Sequence, residues 1–93
     1  MTAVAKFLLG SLVATPGALQ VLAESGQVPI DFLSRHARGD WGDVDAQDWQ
    51  TNDAAVKDGD RLLSAYTTLK GERIWIITEA DRSSTCILLP SEY

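Results

Sequence analysis

The residues with the most chemistry to offer lie together in segment 35–49, RHARGDWGDVDAQDW. This segment holds the single histidine of the chain, two tryptophans and four aspartates. Such a set is compatible with acid–base catalysis, with cation binding, or with recognition of a basic partner by an acidic surface. A purely structural interpretation is also open, because aspartate and glycine cap helices and form turns.

Catalysis would depend on His36, because histidine is the side chain whose ordinary pKa lies closest to neutrality. The available nucleophiles are Ser64, Ser83, Ser84 and Cys86. None of them lies in a G-x-S-x-G elbow, and the chain has no glycine-rich phosphate loop. The segment around His36 is typical of a helix C-terminus, where an imidazole contacts backbone carbonyls. We therefore predict no catalytic residue, and a small enzyme using His36 is the less favoured alternative.

Metal and cofactor binding are not expected. The spacing D-x-x-D-x-D-x-x-D differs from a calcium loop, whose ligands alternate along the chain. Cys86 is the single cysteine, so it has no partner for an internal disulfide, and with His36 it supplies too few ligands for zinc. The sequence thus predicts neither a metal site nor a cofactor.

The excess negative charge is concentrated in one part of the chain. The formal net charge is −5, and segment 40–60 alone contains seven aspartates and one lysine, a net charge of −6. Such a segment repels phosphate backbones and favours a cationic partner, so direct nucleic-acid binding is not expected. The residues predicted to form a partner-binding surface are Asp40, Trp41, Asp43, Asp45, Asp48 and Asp53.

The two tryptophans of segment 35–49 lead to different predictions. Trp41 lies between two glycines, where it can either fill the core or stand exposed as a binding anchor, and both roles remain open. Trp49 falls on the apolar stripe of a predicted helix and is expected in the core. Binding through segment 40–60 therefore depends mainly on its carboxylates.

The elements that position these residues follow from local signals. Residues 6–13 form a short apolar run interrupted by a glycine, which predicts a strand with a bulge or a close approach. Helices are predicted over 15–26, 29–39 and 45–59, each with a capping residue or proline at its start and a glycine at its end. The predicted inward face of the second helix comprises Ile30, Leu33 and Ala37.

Three further runs, at 61–69, 72–80 and 85–90, are rich in β-branched, leucine and aromatic residues and predict an antiparallel meander. The layout is therefore β-α-α-α-β-β-β, a single α+β domain over residues 1–93 with a helical layer packed on a small antiparallel sheet. No apolar run approaches the length needed to cross a bilayer, and the apolar stretch at the N-terminus is short for a signal peptide. We expect a cytoplasmic protein without a membrane partner.

Four segments carry a family resemblance: LVATPGAL (12–19), RHARGDWGDV (35–44), RLLSAY (61–66) and IWIITEADRSSTCILLPSEY (74–93). In their order and combination they resemble a family of small plasmid- and prophage-associated bacterial proteins. The resemblance implies a mobile-element setting, in which small acidic proteins are often inhibitors of host defence of the anti-CRISPR or antirestriction type. The implied partner is a basic nucleic-acid-binding protein complex of the host, such as a CRISPR surveillance complex.

Another class of function remains open beside this one. A small regulatory or antitoxin-like module would act through a sheet edge or by dimerisation, and the expected state is a monomer or weak dimer. Salt-sensitive capture of one basic partner from a host lysate would distinguish the inhibitor from the regulatory module and from the small enzyme.

Overall fold

Residues 5–93 fold into three helices and a four-stranded sheet, so the predicted α+β class and element order are confirmed. The structure is a computed structural model and describes residues 5–93; residues 1–4 of the predicted 1–93 domain, and of the stretch considered as a signal peptide, lie outside the described residues. The elements are β1 (Ser11–Ala14), α1 (Pro16–Glu24), α2 (Pro29–Ala37), α3 (Ala46–Asp58), β2 (Leu62–Thr67), β3 (Arg73–Thr78), β4 (Ser84–Leu88) and a 3-10 turn (Pro90–Glu92).

Local capping chemistry sets the helix boundaries. The Thr15 side chain accepts a hydrogen bond from the Ala18 amide at 3.1 Å, next to a proline in the first turn of α1. Asp45 accepts from the Asp48 amide at 2.8 Å and begins α3. Gly59 ends α3 with a φ of 74°, a left-handed conformation that glycine adopts without steric cost. These are the starts and stops predicted from the sequence.

The sheet has the order β1-β4-β3-β2. Strands β2, β3 and β4 form the predicted antiparallel meander, whereas β1 runs parallel to β4, so the sheet as a whole is mixed. A parallel pairing is accessible to β1 because a long crossover that includes the helices separates it from the meander.

The N-terminal strand is shorter than predicted. Regular pairing begins at Ser11, because Gly10 has a φ of 67° and interrupts the extended run over 6–13. A Cβ atom at position 10 would lie 2.4 Å from the carbonyl oxygen of Arg82. The glycine therefore marks a close approach between two backbone segments, as its position in an apolar run indicated.

Among residues 5–93, two adjoining clusters of buried side chains form the core. The first joins α1 and α2 to one face of the sheet, and the second joins the segment before β1 to α3 and β2. The prediction that Ile30 faces inward is wrong, since 61% of it is exposed. Phe32 is buried instead, because turning the larger aromatic surface of α2 toward the sheet removes more apolar area from water.

The opposite face of the sheet carries Trp75, Ile77 and Leu88. Ile77 is 4% exposed and Leu88 is 7% exposed, and the half-buried Trp75 packs against Tyr93 with ring centroids 5.7 Å apart. The sequence predicted cover from the helices on both faces of β3. On this face, the C-terminal turn supplies part of the cover.

Candidate functional site

The segment 35–44 forms a junction between α2 and β2. Arg35 donates to Asp40, with Nε 2.8 Å from Oδ2 and Nη2 3.4 Å from Oδ1, and Asp40 also accepts from the Gly42 amide at 3.1 Å. The hydrogen bond from Arg35 is the largest cause of the lowered pKa of Asp40. Tyr66 on β2 donates its hydroxyl to the Asp40 carbonyl at 2.6 Å. Asp40 is therefore a half-exposed residue that anchors this junction, and because Arg35 offsets its charge it attracts an external cation less than an unpaired aspartate would.

Trp41 is a core residue, which corrects its prediction as a partner-binding side chain. Its exposure is 0%, and its Nε1 donates to Oδ1 of Asp53 at 3.0 Å. Its ring stacks on Phe7 at a centroid distance of 6.0 Å. The flanking Gly42 lets the chain pass so close to β2 that a Cβ atom there would lie 2.1 Å from the Ala65 carbonyl oxygen. That close approach turns the indole inward.

A chain of buried hydrogen bonds runs through the core from His36. Its Nδ1 lies 2.5 Å from Oγ of Ser64, and its Nε2 lies 2.9 Å from Oγ1 of Thr78. Thr78 and Thr85 join their hydroxyl oxygens at 2.7 Å, and Thr85 donates to the Leu9 carbonyl at 2.7 Å. His36, Ser64, Thr78 and Thr85 are each 0% exposed.

The direction of this chain fixes the imidazole tautomer. The Leu9 carbonyl can only accept, so the Thr85 hydroxyl donates its single proton there. Thr78 must then donate to Thr85, and its oxygen accepts from His36 Nε2–H. Nδ1 of His36 is consequently unprotonated and accepts from the Ser64 hydroxyl. Each of the four polar side chains in this row of hydrogen bonds therefore has a partner, as buried polar groups require.

The Ser64–His36 pair has the donor–acceptor arrangement of a nucleophile and its base. Phe7 and Trp41 close over the imidazole, with ring centroids 5.2 Å and 5.5 Å from it. Burial, aided by the positive charge of Arg82, lowers the pKa of His36 to about 4. Because neither Ser64 nor His36 reaches the surface, the pair holds the core together in this conformation rather than meeting a substrate.

Three of the predicted partner-binding residues lie around the start of α3 and are exposed: Asp43, Asp45 and Asp48. We call these three residues the acidic end of α3. Asp45 is the helix cap, and Asp43 accepts from the Thr67 hydroxyl at 2.9 Å. Asp45 is therefore held by a backbone amide and Asp43 by a side-chain hydroxyl, while all three carboxylates remain in contact with solvent.

Asp53 does not belong to the acidic end. It lies five residues after Asp48, which places it about 140° around the helix. Two depressions of about 300 and 290 Å³ flank α3, the first lined by Asp48, Thr51, Asn52, Arg61 and Leu63, the second by Lys6, Asp53, Val56 and Lys57. Asp48 and Asp53 therefore face different flanks, and the six predicted residues do not form one continuous surface.

Asn52 is a residue whose role the sequence did not reveal. It is 5% exposed on α3, and its side-chain amide donates to the Leu63 carbonyl at 2.8 Å and accepts from the Leu63 amide at 3.2 Å. It thus replaces a neighbouring strand at the outer edge of β2. An asparagine on a polar helix is an ordinary surface residue by sequence, so only its position next to β2 reveals this role.

Residues 5–93 contain neither a cluster of side chains that could hold a metal ion nor a helix that could cross a membrane. No group of three or more histidine, cysteine, aspartate or glutamate side chains in this range could hold a metal ion. In the same range, no helix combines the length and apolar character of a membrane span.

Comparisons with known proteins returned no matching family model, no similar curated protein and no similar solved structure. The resemblance to small plasmid- and prophage-associated proteins therefore remains a prediction from the sequence.

Proposed function

We propose that this protein binds a basic surface of another protein through the acidic end of α3. The observation that carries the proposal is the exposure of Asp43, Asp45 and Asp48 within a segment of net charge −6. Between residues 5 and 93 the ion pairs are Arg35–Asp40 and Arg61–Glu79, so neither of them involves the acidic end. Its charge is available to a partner.

The partner that fits is a protein whose lysines and arginines normally hold a nucleic acid. Complementary charge accelerates encounter and excludes wrong partners, even when each exposed pair adds little affinity. Occupying such a surface would inhibit the partner by keeping its nucleic acid away. Direct binding of the acidic end to a phosphate backbone is disfavoured by like-charge repulsion.

The narrower form of the proposal is an inhibitor of a host defence complex, anti-CRISPR-like, acting in the bacterial cytoplasm. This narrower form is supported by the sequence resemblance to plasmid- and prophage-associated proteins. It is also compatible with the chemistry of the target, because guide-RNA complexes hold nucleic acid in positively charged channels. A regulatory or antitoxin-like interaction module is the second candidate, and the unpaired outer edge of β1, among residues 5–93, favours it.

The test replaces the acidic end by neutral isosteres in the variant D43N/D45N/D48N. Asparagine keeps an acceptor oxygen at each position, so the cap of α3 and the bond to Thr67 can persist while three charges are lost. The matched control, E24Q/D31N/E72Q, removes three exposed carboxylates from elsewhere. Each form is used to capture partners from a lysate of a host with defence systems, at low and high salt.

We expect the wild type and the control to retain one basic partner that is lost as salt rises. The D43N/D45N/D48N variant should bind it roughly tenfold more weakly, as expected for three exposed pairs of about 0.5 kcal/mol each. Equal binding by both triple variants, with unchanged thermal stability, would remove the acidic end from the proposal.

A further inference from the structure

The two edges of the sheet differ. The outer edge of β2 is occupied, because Asn52 bonds both backbone groups of Leu63, and segment 41–43 bonds both backbone groups of Ala65. The outer edge of β1 is open: among residues 5–93, β4 is the strand that pairs with β1, and β1 ends the sheet. An open edge is a ready template for another strand.

The hydrogen bonds to β4 show which backbone groups of β1 remain available. Ser11 donates to the Ser83 carbonyl and Thr15 donates to the Ile87 carbonyl, each at 3.0 Å. Because backbone direction alternates along a strand, residues 11, 13 and 15 face β4. The amides and carbonyls of Leu12 and Ala14 therefore point outward.

The side chains around this edge are apolar and exposed. Leu8 is 77% exposed, Leu12 is 57% exposed and Val13 is 52% exposed. No charged residue lies between Lys6 and Glu24. The charged side chain that contacts the end of this segment is Glu92, whose carboxylate accepts from the Thr15 hydroxyl at 2.6 Å. The strand residues themselves carry none of the lysines that natural proteins use to prevent strand pairing.

We propose that two copies of the chain pair antiparallel through β1, about a two-fold axis at Val13. In this register, Leu12 and Ala14 of one copy face Ala14 and Leu12 of the other and form hydrogen-bonded pairs. Each pair exchanges two N–H···O bonds, which gives four bonds between the copies. The two Val13 side chains meet on the axis in a non-hydrogen-bonded pair, where side chains come closest.

Charge favours a second copy as the occupant. The strand order places β1 at one edge of the sheet and β2, next to α3, at the other, so the acidic segments of two joined copies lie at opposite ends. Joining the two copies through strands whose own residues are uncharged therefore keeps most of the negative charge of the two chains, each of net charge −5, away from the interface. Pro16 has no amide to donate, so the ladder of hydrogen bonds between the two copies cannot extend past Ala14. Because the ladder is short, we expect a weak dimer that dissociates on dilution.

The association is measured by sedimentation equilibrium between about 1 µM and 1 mM, the range in which a small interface is expected to dissociate. V13K places two like charges on the axis at a half-exposed position, and we expect dimerisation at least tenfold weaker with the fold intact by circular dichroism. The control I30K makes the same change at a position 61% exposed on α2 and should leave the dimer unchanged. A chain that stays monomeric at the highest concentration overturns the proposal.

The register is tested by crosslinking in a C86S background with copper phenanthroline as the oxidant. Two Val13 residues across the axis have Cα atoms about 4.5 Å apart, within disulfide range, so V13C should form a covalent dimer. Leu12 faces Ala14 of the other copy, which places the two Leu12 Cα atoms beyond about 7 Å, so L12C should crosslink poorly. Preferential crosslinking of L12C, or capture of a foreign protein instead of a second copy, would contradict the pairing. D43N/D45N/D48N should dimerise normally, so this proposal and the proposed function can fail separately.

Discussion

At the level of single residues, burial determines what the one histidine does. Between Phe7 and Trp41 the imidazole of His36 is uncharged at neutral pH, and its two nitrogens are committed to Ser64 and Thr78. The same residue types on a surface would form a plausible base and nucleophile. Here His36 instead links α2 to β2 through Ser64 and to β3 through Thr78.

The lowered pKa of His36 predicts a loss of stability in mild acid. The pKa of His36 is about 4 in the folded chain and the ordinary 6.5 in the unfolded chain. Below pH 6.5 the unfolded chain therefore binds a proton that the folded chain does not bind. The free energy of unfolding should be fully present above pH 6.5 and fall by about 2 kcal/mol between pH 6.5 and 5. Urea titrations at each pH measure it. H36Q should be less stable at pH 7 but should show a flat profile over this interval; a flat wild-type profile would contradict the prediction.

The two tryptophans of segment 35–49 should differ in their effect on stability. Trp41→Ala removes a fully buried indole and leaves Asp53 without its donor, so it should cost about 3–5 kcal/mol. Trp49 is half-buried at the margin of the same cluster, and Trp49→Ala should cost clearly less. Thermal or urea unfolding of both variants measures the difference. Similar losses for the two would show that Trp41 is less important to the core than its burial indicates.

At the level of elements, α3 is held to the sheet through a side-chain amide. Asn52→Asp keeps the size of this side chain and its acceptor but replaces the donor with an oxygen that faces the Leu63 carbonyl. We expect the free energy of unfolding to fall by about 1–3 kcal/mol, the usual cost of an unsatisfied buried group. Hydrogen exchange of the Leu63 backbone amide should also be faster in the Asn52→Asp variant than in the wild type. Thr51→Val, on the neighbouring exposed position, is the control and should be close to neutral.

Element boundaries were largely predictable because their signals are local. Thr15, Asp45 and Gly59 act through hydrogen bonds or backbone angles within a few residues, and the caps lie where the sequence placed them. The N-terminal strand was predicted too long, because its start is set by the contact between Gly10 and the carbonyl of Arg82. The glycine indicated a close approach, but the sequence did not show that its partner is the backbone at Arg82, and that contact determines where regular pairing begins.

The same distinction explains the outcome for the candidate site. The sequence identified the charge of segment 40–60 but not its division between two flanks of α3, which depends on how the helix lies against β2. Pairing of His36 with Ser64 and Thr78 joins residues 28 and 42 positions apart, and no spacing rule predicts it. Trp41 was open between two roles because the choice depends on Gly42 meeting Ala65.

At the level of the whole molecule, charge and pairing capacity lie at opposite sides of the sheet. The acidic end of α3 lies beside β2, and the apolar open edge belongs to β1, with two strands between them. The proposed binding of a basic partner and the proposed pairing of two copies would therefore use separate surfaces. A dimer formed through β1 would carry two acidic ends facing away from each other and could engage two basic sites at once.

Asn52 and segment 41–43 occupy the outer edge of β2, and this cover, called here the seal on β2, has a further consequence for assembly. A sheet with two open edges can add copies at both sides without limit and grow into a filament. Over the part of the chain that the structure describes, only the edge of β1 is open, and a two-fold symmetric dimer would pair the open edges of both copies with each other. Polymerisation would stop at two chains, so the exposed leucines near the N-terminus carry little risk of fibre formation as long as the seal on the far side is intact.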